Sequence, residues 1–555
     1  GRPFQQQFKE VSGTWFCDLR RPQNLRKALD GWYTPEGLRE ELKKDINGAE
    51  ASLKTIGFEF GFPLRDYQQN AILSVEAAIQ QGKTECLVAM ATGTGKTKTC
   101  IALLYRLLRA NRFRRILFLV DRSALGEQAA NAFKETRMMS LNTFADDFGI
   151  KEIDEQQPEP DTKVHIATVQ GLVQRILYAE DGGLPVDAYD CIVVDECHRG
   201  YLLDREMSDT EVAYRDQDDY ISKYRRVIDH FDAVKIGLTA TPALHTTEIF
   251  GKPVYVYSYR EAVLDGHLID HEPAQRIRTK LNSEGIHWKA GEEVPVYNPQ
   301  TETVDLFNAP DQLDFDVADF NKKVITENFN KVVCEQLAKC ITPYGPEKTL
   351  IFCATDQHAD MVVRLLKEAF VVAGMEVDDD AILKITGSAD KPLELIRRLR
   401  NEKNPAIAVT VDLLTTGVDV PQISNLVFLR RVNSRILYEQ MLGRATRRCD
   451  EIDKEVFRIY DAVDIYSKLE SVNSMKPVVQ NPNIGFAQLV REITEHTDTD
   501  MAEQARLQLL AKWQRKKRHL TESQQDRLKQ AGFDPEDFAG FLKKATTKEV
   551  ADWFV

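Results

Sequence analysis

Unbroken apolar runs alternate with longer stretches of helical period, and the alternation occurs twice along the chain. The first series comprises residues 86–89, 115–120, 164–168, 191–194 and 235–239; the second comprises 348–353 and 406–411. A strand with one wet face alternates polar and apolar side chains, whereas these runs are apolar at most successive positions, as strands buried on both faces are. Residues 99–108 and 359–373 carry helical spacing between such strands, so each series predicts a parallel sheet clothed by helices. Outside the two series, residues 36–56 read as one charged amphipathic helix. The stretch 261–330 is irregular and hairpin-like, interrupted by Pro295, Pro299 and Pro310, and 483–555 reads as a helical tail. The predicted class is therefore α/β, with two tandem parallel-sheet domains and a helical C-terminal region. The expected divisions are an N-terminal lead-in at 1–62, a first sheet domain at 63–260, a second at 261–478 and the helical region at 479–555.

The chemistry gathers where the first strand meets its helix. There the chain reads Ala91-Thr92-Gly93-Thr94-Gly95-Lys96-Thr97. Gly93 and Gly95 let the backbone curl so that successive N–H groups, Thr94 among them, and the helix N-terminus point at phosphate oxygens. Lys96 brings a point charge to the β- and γ-phosphates, and the Thr97 hydroxyl is placed to ligate Mg²⁺. The strict pattern asks for glycine where Met90 stands, so the match rests on the Gly-Thr-Gly-Lys-Thr half. Ligands of a parallel sheet collect at the carboxyl ends of its strands, and the strand at 191–194 ends in Asp195-Glu196-Cys197-His198. Adjacent carboxylates there call for a cation. Asp195 is expected to contact Mg²⁺, directly or through water, and Glu196 to orient and deprotonate the water that attacks the γ-phosphorus of ATP. Gln68, about two dozen residues before the loop, can offer an acceptor and a donor to the adenine edge. In the second domain Arg444 and Arg447 are three apart; on a helix they share a face and would act as arginine fingers.

Bulk properties change this picture little. Among 555 residues, 43% are hydrophobic and 29% charged; this is too much chain for one core, and no apolar run approaches the length of a membrane span. The scattered cysteines include no C-x-x-C pair, which argues for buried thiols in a reducing cytosol. A net charge of −13 leaves nucleic-acid binding to local basic tracks. Two exist: Arg106, Arg109, Arg112, Arg114, Arg115 and Arg122, and the segment 512–518 with Trp513 inside it.

Taken in order, Gln68, Gly93 to Thr97, Asp195 to His198, Thr239-Ala240-Thr241, Thr416 to Asp419 and Gln440-x-x-Gly443-Arg444-x-x-Arg447 resemble the motif series of superfamily 2 helicases and translocases. The wording between them narrows the likeness: 118–122, 195–200, 238–242 and 411–419 resemble the restriction (R) subunit of type I restriction-modification enzymes. The resemblance implies two RecA-like domains binding ATP and Mg²⁺ and translocating double-stranded DNA, in company with modification and specificity subunits, in the bacterial cytoplasm. It places Gly417, Asp419 and Gln440 with the nucleotide-binding residues, and sets Arg122, Thr168 and Thr415 at positions that touch the nucleic-acid backbone. Members carry a nuclease ahead of the motor with an acidic residue and a Glu-x-Lys pair. The sequence holds no convincing copy, so either the chain begins after that nuclease or the protein only translocates. An unwinding helicase and a nucleotide-switched scaffold are the alternative readings.

Overall fold

A computed structural model describes residues 32–120, 130–138, 142–151, 161–177, 184–197, 225–242, 244–277, 327–411, 419–432, 434–495, 498–530 and 532–555, together with short strands between 14 and 29 and between 286 and 315. The chain forms two compact units, Gly1–Ser258 and Tyr259–Val555.

The first unit opens with the antiparallel pair β1 (Thr14–Phe16) and β2 (Lys27–Leu29). Helices α1 (Pro35–Lys43) and α2 (Ile46–Thr55) follow. The single helix expected over 36–56 is thus broken in two, because the Asp45 carboxylate accepts the Gly48 N–H at 2.9 Å and starts a new helix. Helix α1 lies against the body of the unit closely enough that a Cβ on Gly37 would fall 1.5 Å from Asp187 Oδ2. Asp187 accepts the Thr34 N–H and hydroxyl at 2.9 and 2.7 Å. Beside it Asp190 accepts the Arg114 and Arg115 N–H groups at 2.8 and 2.9 Å and pairs with Lys44 at 2.9 Å. Burial alone would raise the Asp190 pKa; Lys44 and the two amides outweigh it and hold the carboxyl below its ordinary range.

After α3 (Asp66–Gln80) comes the sheet: β3 (Glu85–Met90), β4 (Ile116–Val120), β5 (Gly149–Lys151), β6 (Thr162–Thr168), β7 (Cys191–Val194), β8 (Val234–Thr239) and β9 (Pro253–Tyr257), in the order β5-β6-β4-β7-β8-β3-β9. Every pairing is parallel. The four central strands β4, β7, β8 and β3 are almost wholly buried, for instance at Ile116, Val193, Ile236 and Leu87, which explains the absence of alternation in their sequences. Helix α4 (Lys96–Arg109) carries the loop between β3 and itself, α5 (Phe144–Asp147) precedes β5, and α6 (Val169–Leu177) follows β6.

Three arginines of the first basic track, Arg106, Arg114 and Arg115, serve this packing. Arg106 is 1% exposed. Its guanidinium binds both oxygens of Glu76 at 2.7 and 3.0 Å and the carbonyls of Leu53 and Gly57 at 2.9 and 3.0 Å, with Ile56 O beside them. Arg115 donates to Thr162 O, and Arg114 to Asp187 O. Replacing Arg106 with Met should destabilise the unit by about 3–5 kcal/mol, since it strands the largely covered Glu76 charge and the end of α2. Hydrogen exchange of 46–60 checks this; protection equal to that of the parent would contradict the clamp.

The second unit begins with α7 (Tyr259–Leu264). Its sheet comprises β10 (Asp270–His271), β11 (Gln275–Arg276), β16 (Lys348–Phe352), β17 (Ile382–Lys384), β18 (Ile407–Thr410), β19 (Ile423–Phe428) and β20 (Val456–Asp461), in the order β10-β20-β19-β16-β18-β17 with β11 also on β20, again all parallel. Between β11 and β16 lie two antiparallel pairs, β12 (Ile286–Trp288) with β15 (Leu313–Phe315) and β13 (Glu293–Asn298) with β14 (Thr303–Asn308), in the stretch expected to be hairpin-like. Helix α8 (Glu327–Leu337) and α9 (Asp356–Val372) pack together, and α10 (Pro392–Asn401) and α11 (Arg435–Leu442) complete the domain.

The helical region holds α12 (Phe486–Glu495), α13 (Thr499–Arg518), α14 (Glu522–Gln530), α15 (Pro535–Lys544) and α16 (Thr547–Phe554). Leu489, Leu510, Leu542 and Val550 are fully buried among them. The second basic track sits on α13 and is likewise engaged internally. Arg515 pairs with the buried Asp270 at 3.1 Å, Gln514 donates to Leu264 O at 2.8 Å, Lys512 to Pro482 O at 3.1 Å, and the Trp513 ring N–H to Pro535 O at 3.0 Å. Among the described residues no helix is long and apolar enough to cross a membrane.

Candidate nucleotide site

Strand order decides which residues meet. In the first sheet β3, β8 and β7 are consecutive, so their carboxyl ends bring together the glycine loop, Thr239 to Thr241 and Asp195-Glu196. Gly93 and Gly95 have φ of 93° and 83°, the left-handed region that glycine enters without strain. Gly95 is doubly constrained, because a Cβ there would lie 2.6 Å from Gln68 Nε2. Thr94 is buried, its hydroxyl donating to Ala91 O at 2.7 Å. Thr97 is exposed on the first turn of α4.

Gln68 underpins the loop. Its amide N–H groups reach Thr94 O at 3.2 Å and Gly95 O at 3.4 Å, while its carbonyl accepts the Arg65 N–H at 3.0 Å. Tyr67, which sequence reasoning passed over, donates to Thr94 O at 2.8 Å and stacks on Tyr257 with ring centroids 4.0 Å apart. The Thr99 hydroxyl adds a bond to Gly95 O at 3.1 Å. The only sequence signal for Tyr67 is its adjacency to Gln68.

Lys96 is nearly buried, with its ammonium 3.4 Å from Met90 O and 3.7 Å from Glu196 Oε1. Glu196 holds φ of 46°, an uncommon conformation for a residue with a side chain. Backbone strain of this kind collects at functional sites. The turn is fixed by Asp195, whose carboxylate accepts the Glu196 N–H at 2.9 Å and whose own N–H donates to Leu119 O at 3.1 Å. On the neighbouring strand end the Thr239 hydroxyl donates to Thr241 O at 3.0 Å and accepts the Thr241 N–H at 3.1 Å. The donor set suits a nucleotide with Mg²⁺: left-handed glycines, one ammonium, one hydroxyl and one carboxylate. Among the described residues no three His, Cys, Asp or Glu side chains group to hold a metal. Mg²⁺ takes one or two protein ligands and completes its shell with phosphate and water, so none is needed.

The second unit supplies a separate group. Helix α11 ends at Leu442, and Arg444 and Arg447 lie in the turn beyond it rather than on a shared helical face. The turn leaves the helical ladder because its polar groups are taken elsewhere: the Thr446 hydroxyl donates to Gly443 O, and Thr446 O accepts the Ile269 N–H. Arg444 turns back to Gln440 O at 3.3 Å, and Gln440 itself is buried. Arg447 pairs with Asp419 at 3.1 Å, both side chains more than a third exposed.

Thr168 ends β6, which three strands separate from β3, and its hydroxyl accepts the Gly171 N–H at 3.1 Å to start α6. Arg122, His198, Thr415, Thr416 and Gly417 lie outside the described residues.

Two tandem RecA-like parallel sheets with this loop, this acidic strand end and this arginine turn define the helicase-type ATPase fold of superfamily 2. Residues 61–244 match the family of the type III restriction enzyme res subunit, residues 332–449 the helicase conserved C-terminal domain, and residues 1–42 the second domain of the type I restriction enzyme EcoKI endonuclease subunit. The chain is 50% identical to the type I restriction enzyme EcoKI endonuclease subunit of Escherichia coli K12, over 93% of this chain and 45% of that protein. It is 29% identical to the EcoAI endonuclease subunit of Escherichia coli, over 85% of this chain and 56% of that protein. A fragment of an HsdR subunit of a type I restriction enzyme from Vibrio vulnificus YJ016 shares the fold, with a TM-score of 0.55 at 24% identity, covering 82% of this chain and 75% of that one. The chain is thus similar to the endonuclease (R) subunits of type I restriction enzymes, and it spans about half the length of the curated relatives it matches.

Proposed function

We propose that this chain is an ATP-driven motor that moves double-stranded DNA within a type I restriction enzyme, ahead of cleavage by a nuclease domain. The observation that carries the reading is the set Lys96, Asp195 and Glu196 brought together at the carboxyl ends of β3 and β7, which flank β8, beside a loop built for phosphates. In this reading the loop amides from Gly93 to Thr97 hold the β- and γ-phosphates of ATP, Gln68 keeps the loop in shape beside the adenine, and Lys96 swings from Glu196 to the γ-phosphate. Thr97 and Asp195 would hold Mg²⁺, which supplies positive charge to the phosphate oxygens as the γ-phosphoryl group transfers. Glu196 takes a proton from the attacking water onto its carboxylate. Arg444 and Arg447, with Gly417, Asp419 and Gln440 supporting them, contribute charge to the γ-phosphate when the two units close, and phosphate release lets them part.

The DNA contacts in this proposal are Arg122, Thr168 and Thr415, which match positions that touch the nucleic-acid backbone in such motors, so binding is indifferent to sequence and weakened by salt. The modification and specificity subunits are the proposed protein partners, and the bacterial cytoplasm the proposed location. ATP turnover should rise at least about tenfold on adding duplex DNA and fall back as salt is raised from about 50 to 200 mM. Turnover indifferent to DNA, in the chain alone and in the assembled complex, would remove the motor reading.

A further inference from the structure

The turn that bears Arg444 and Arg447 rests on a single buried ammonium. Lys454 is 5% exposed, and its Nζ donates to Pro421 O at 2.8 Å, Ala445 O at 2.8 Å and Arg447 O at 3.0 Å. Three N–H groups meet three carbonyls, which matches the donor inventory of a charged lysine and exceeds that of a neutral amine. Two of the carbonyls belong to the arginine turn. The third lies two residues after Asp419, the carboxylate that holds Arg447 at 3.1 Å. Without this cation the three carbonyls would face one another with nothing between them. The backbone that delivers Lys454 is itself fixed: Asp453 has φ of 56°, and Lys454 N–H donates to Cys449 O at 3.1 Å. On either side, Asp453 and Glu455 clasp His519 at the end of α13, at 3.0 and 3.2 Å.

We propose that Lys454 is a positioning residue for ATP hydrolysis: by tying Pro421, Ala445 and Arg447 through their carbonyls it fixes the arginine turn, and with it the aim of Arg447. This rests on the reading of Arg447 as an arginine finger. Lys454 touches neither nucleotide nor DNA and acts only through the turn.

Burial draws the Lys454 pKa down to about 7, the strongest influence on it; Cys449, Glu347 and Asp419 pull it up, and Arg447 pulls it down. The three carbonyl acceptors favour the charged form as well. As pH rises through that value the ammonium loses a proton, one carbonyl loses its donor, and the turn slackens. Turnover should therefore carry an alkaline limb that belongs to Lys454, superposed on whatever His519, Asp453 and Glu455 contribute from the adjoining contact.

The test uses the full chain with duplex DNA and saturating ATP. Lys454→Met should lower kcat at least tenfold while the affinity for a fluorescent ATP analogue stays within threefold, because the phosphate loop belongs to the other unit. In single-turnover measurements, where slow hydrolysis is still readable, Lys454→Met should add less than twofold to the defect of Arg447→Ala. A Lys454→Met rate within twofold of the parent, or two defects that multiply, would overturn the proposal. Should Lys454→Met lose its helical circular dichroism, the unaltered chain decides: kcat that stays flat from pH 6.5 to 9 overturns it, and a fall supports it. If Arg447→Ala keeps the parent rate, the finger reading fails and takes Lys454 with it; if Arg447→Ala is slow and Lys454→Met is fast, only the present proposal fails.

Discussion

Glu196→Gln should lower the DNA-stimulated kcat by about 10² to 10⁴ while nucleotide binding persists, the range that a positioned general base contributes. The argument begins with shape. Glutamine is isosteric with glutamate, so it can occupy the same left-handed turn at φ of 46° and leave the Asp195 bond to its N–H intact. What changes is proton affinity: a carboxamide cannot accept the proton of the attacking water. It also frees Lys96, which stands 3.7 Å from the carboxylate and is otherwise shared between Glu196 and phosphate. Nucleotide affinity should accordingly hold or tighten. The measurement is steady-state ATP hydrolysis beside equilibrium binding of a labelled analogue. A kcat within about threefold of the parent would assign proton abstraction to another group.

The second large effect is expected at Arg447. Arginine fingers contribute about 10³ to 10⁵ in rate in related nucleotide hydrolases, and Arg447→Ala should lose a comparable factor. Structural damage cannot account for a loss of that size. The side chain is 35% exposed and its partner Asp419 42% exposed, and a pair so open to solvent contributes about 0–1 kcal/mol to stability. Melting temperature should therefore stay close to the parent value while turnover collapses. Arg447→Lys tells charge from geometry: lysine keeps the charge but not the planar fork, and should recover only part of the rate. Full activity in Arg447→Ala would leave the charge on the γ-phosphate to be met from the first unit alone.

The parts of the fold that could be read from the chain were those whose signal is local. The strands β3, β4, β6, β7, β8, β16 and β18 are buried on both faces and announced themselves as unbroken apolar runs. Strand β19 did not, because Ser424 and Asn425 interrupt it although both are buried; β20 is interrupted by Arg458, which reaches out to Glu347 at 3.3 Å. Helices α1 and α2 ran together in the sequence because one capping carboxylate, Asp45, is a small mark in a charged segment. The glycine loop and the acidic strand end are contiguous in sequence, and so their geometry was legible. The basic tracks show the opposite case. Charge is visible in a sequence but its partner is not, and Arg106 and Arg515 find theirs 30 and 245 positions away. Lys454 was invisible for the same reason: three main-chain carbonyls leave no trace in residue identity. The arginines after Gly443 were placed on a helix by spacing alone, and only the competing bonds of Thr446 show why the helix stops short.

The buried pairing of Arg515 with Asp270 has a mechanical side. Asp270 also accepts the Val478 and Val479 N–H groups at 3.1 and 2.9 Å, so one carboxylate bolts α13, the segment leading into the helical region and the edge of the second sheet to a common point. The helical region is therefore no pendant on a slack tether. Whatever stroke the second sheet makes, the bundle swings with it like a crank keyed to its shaft, and a protein gripping that bundle would feel each displacement without lost motion.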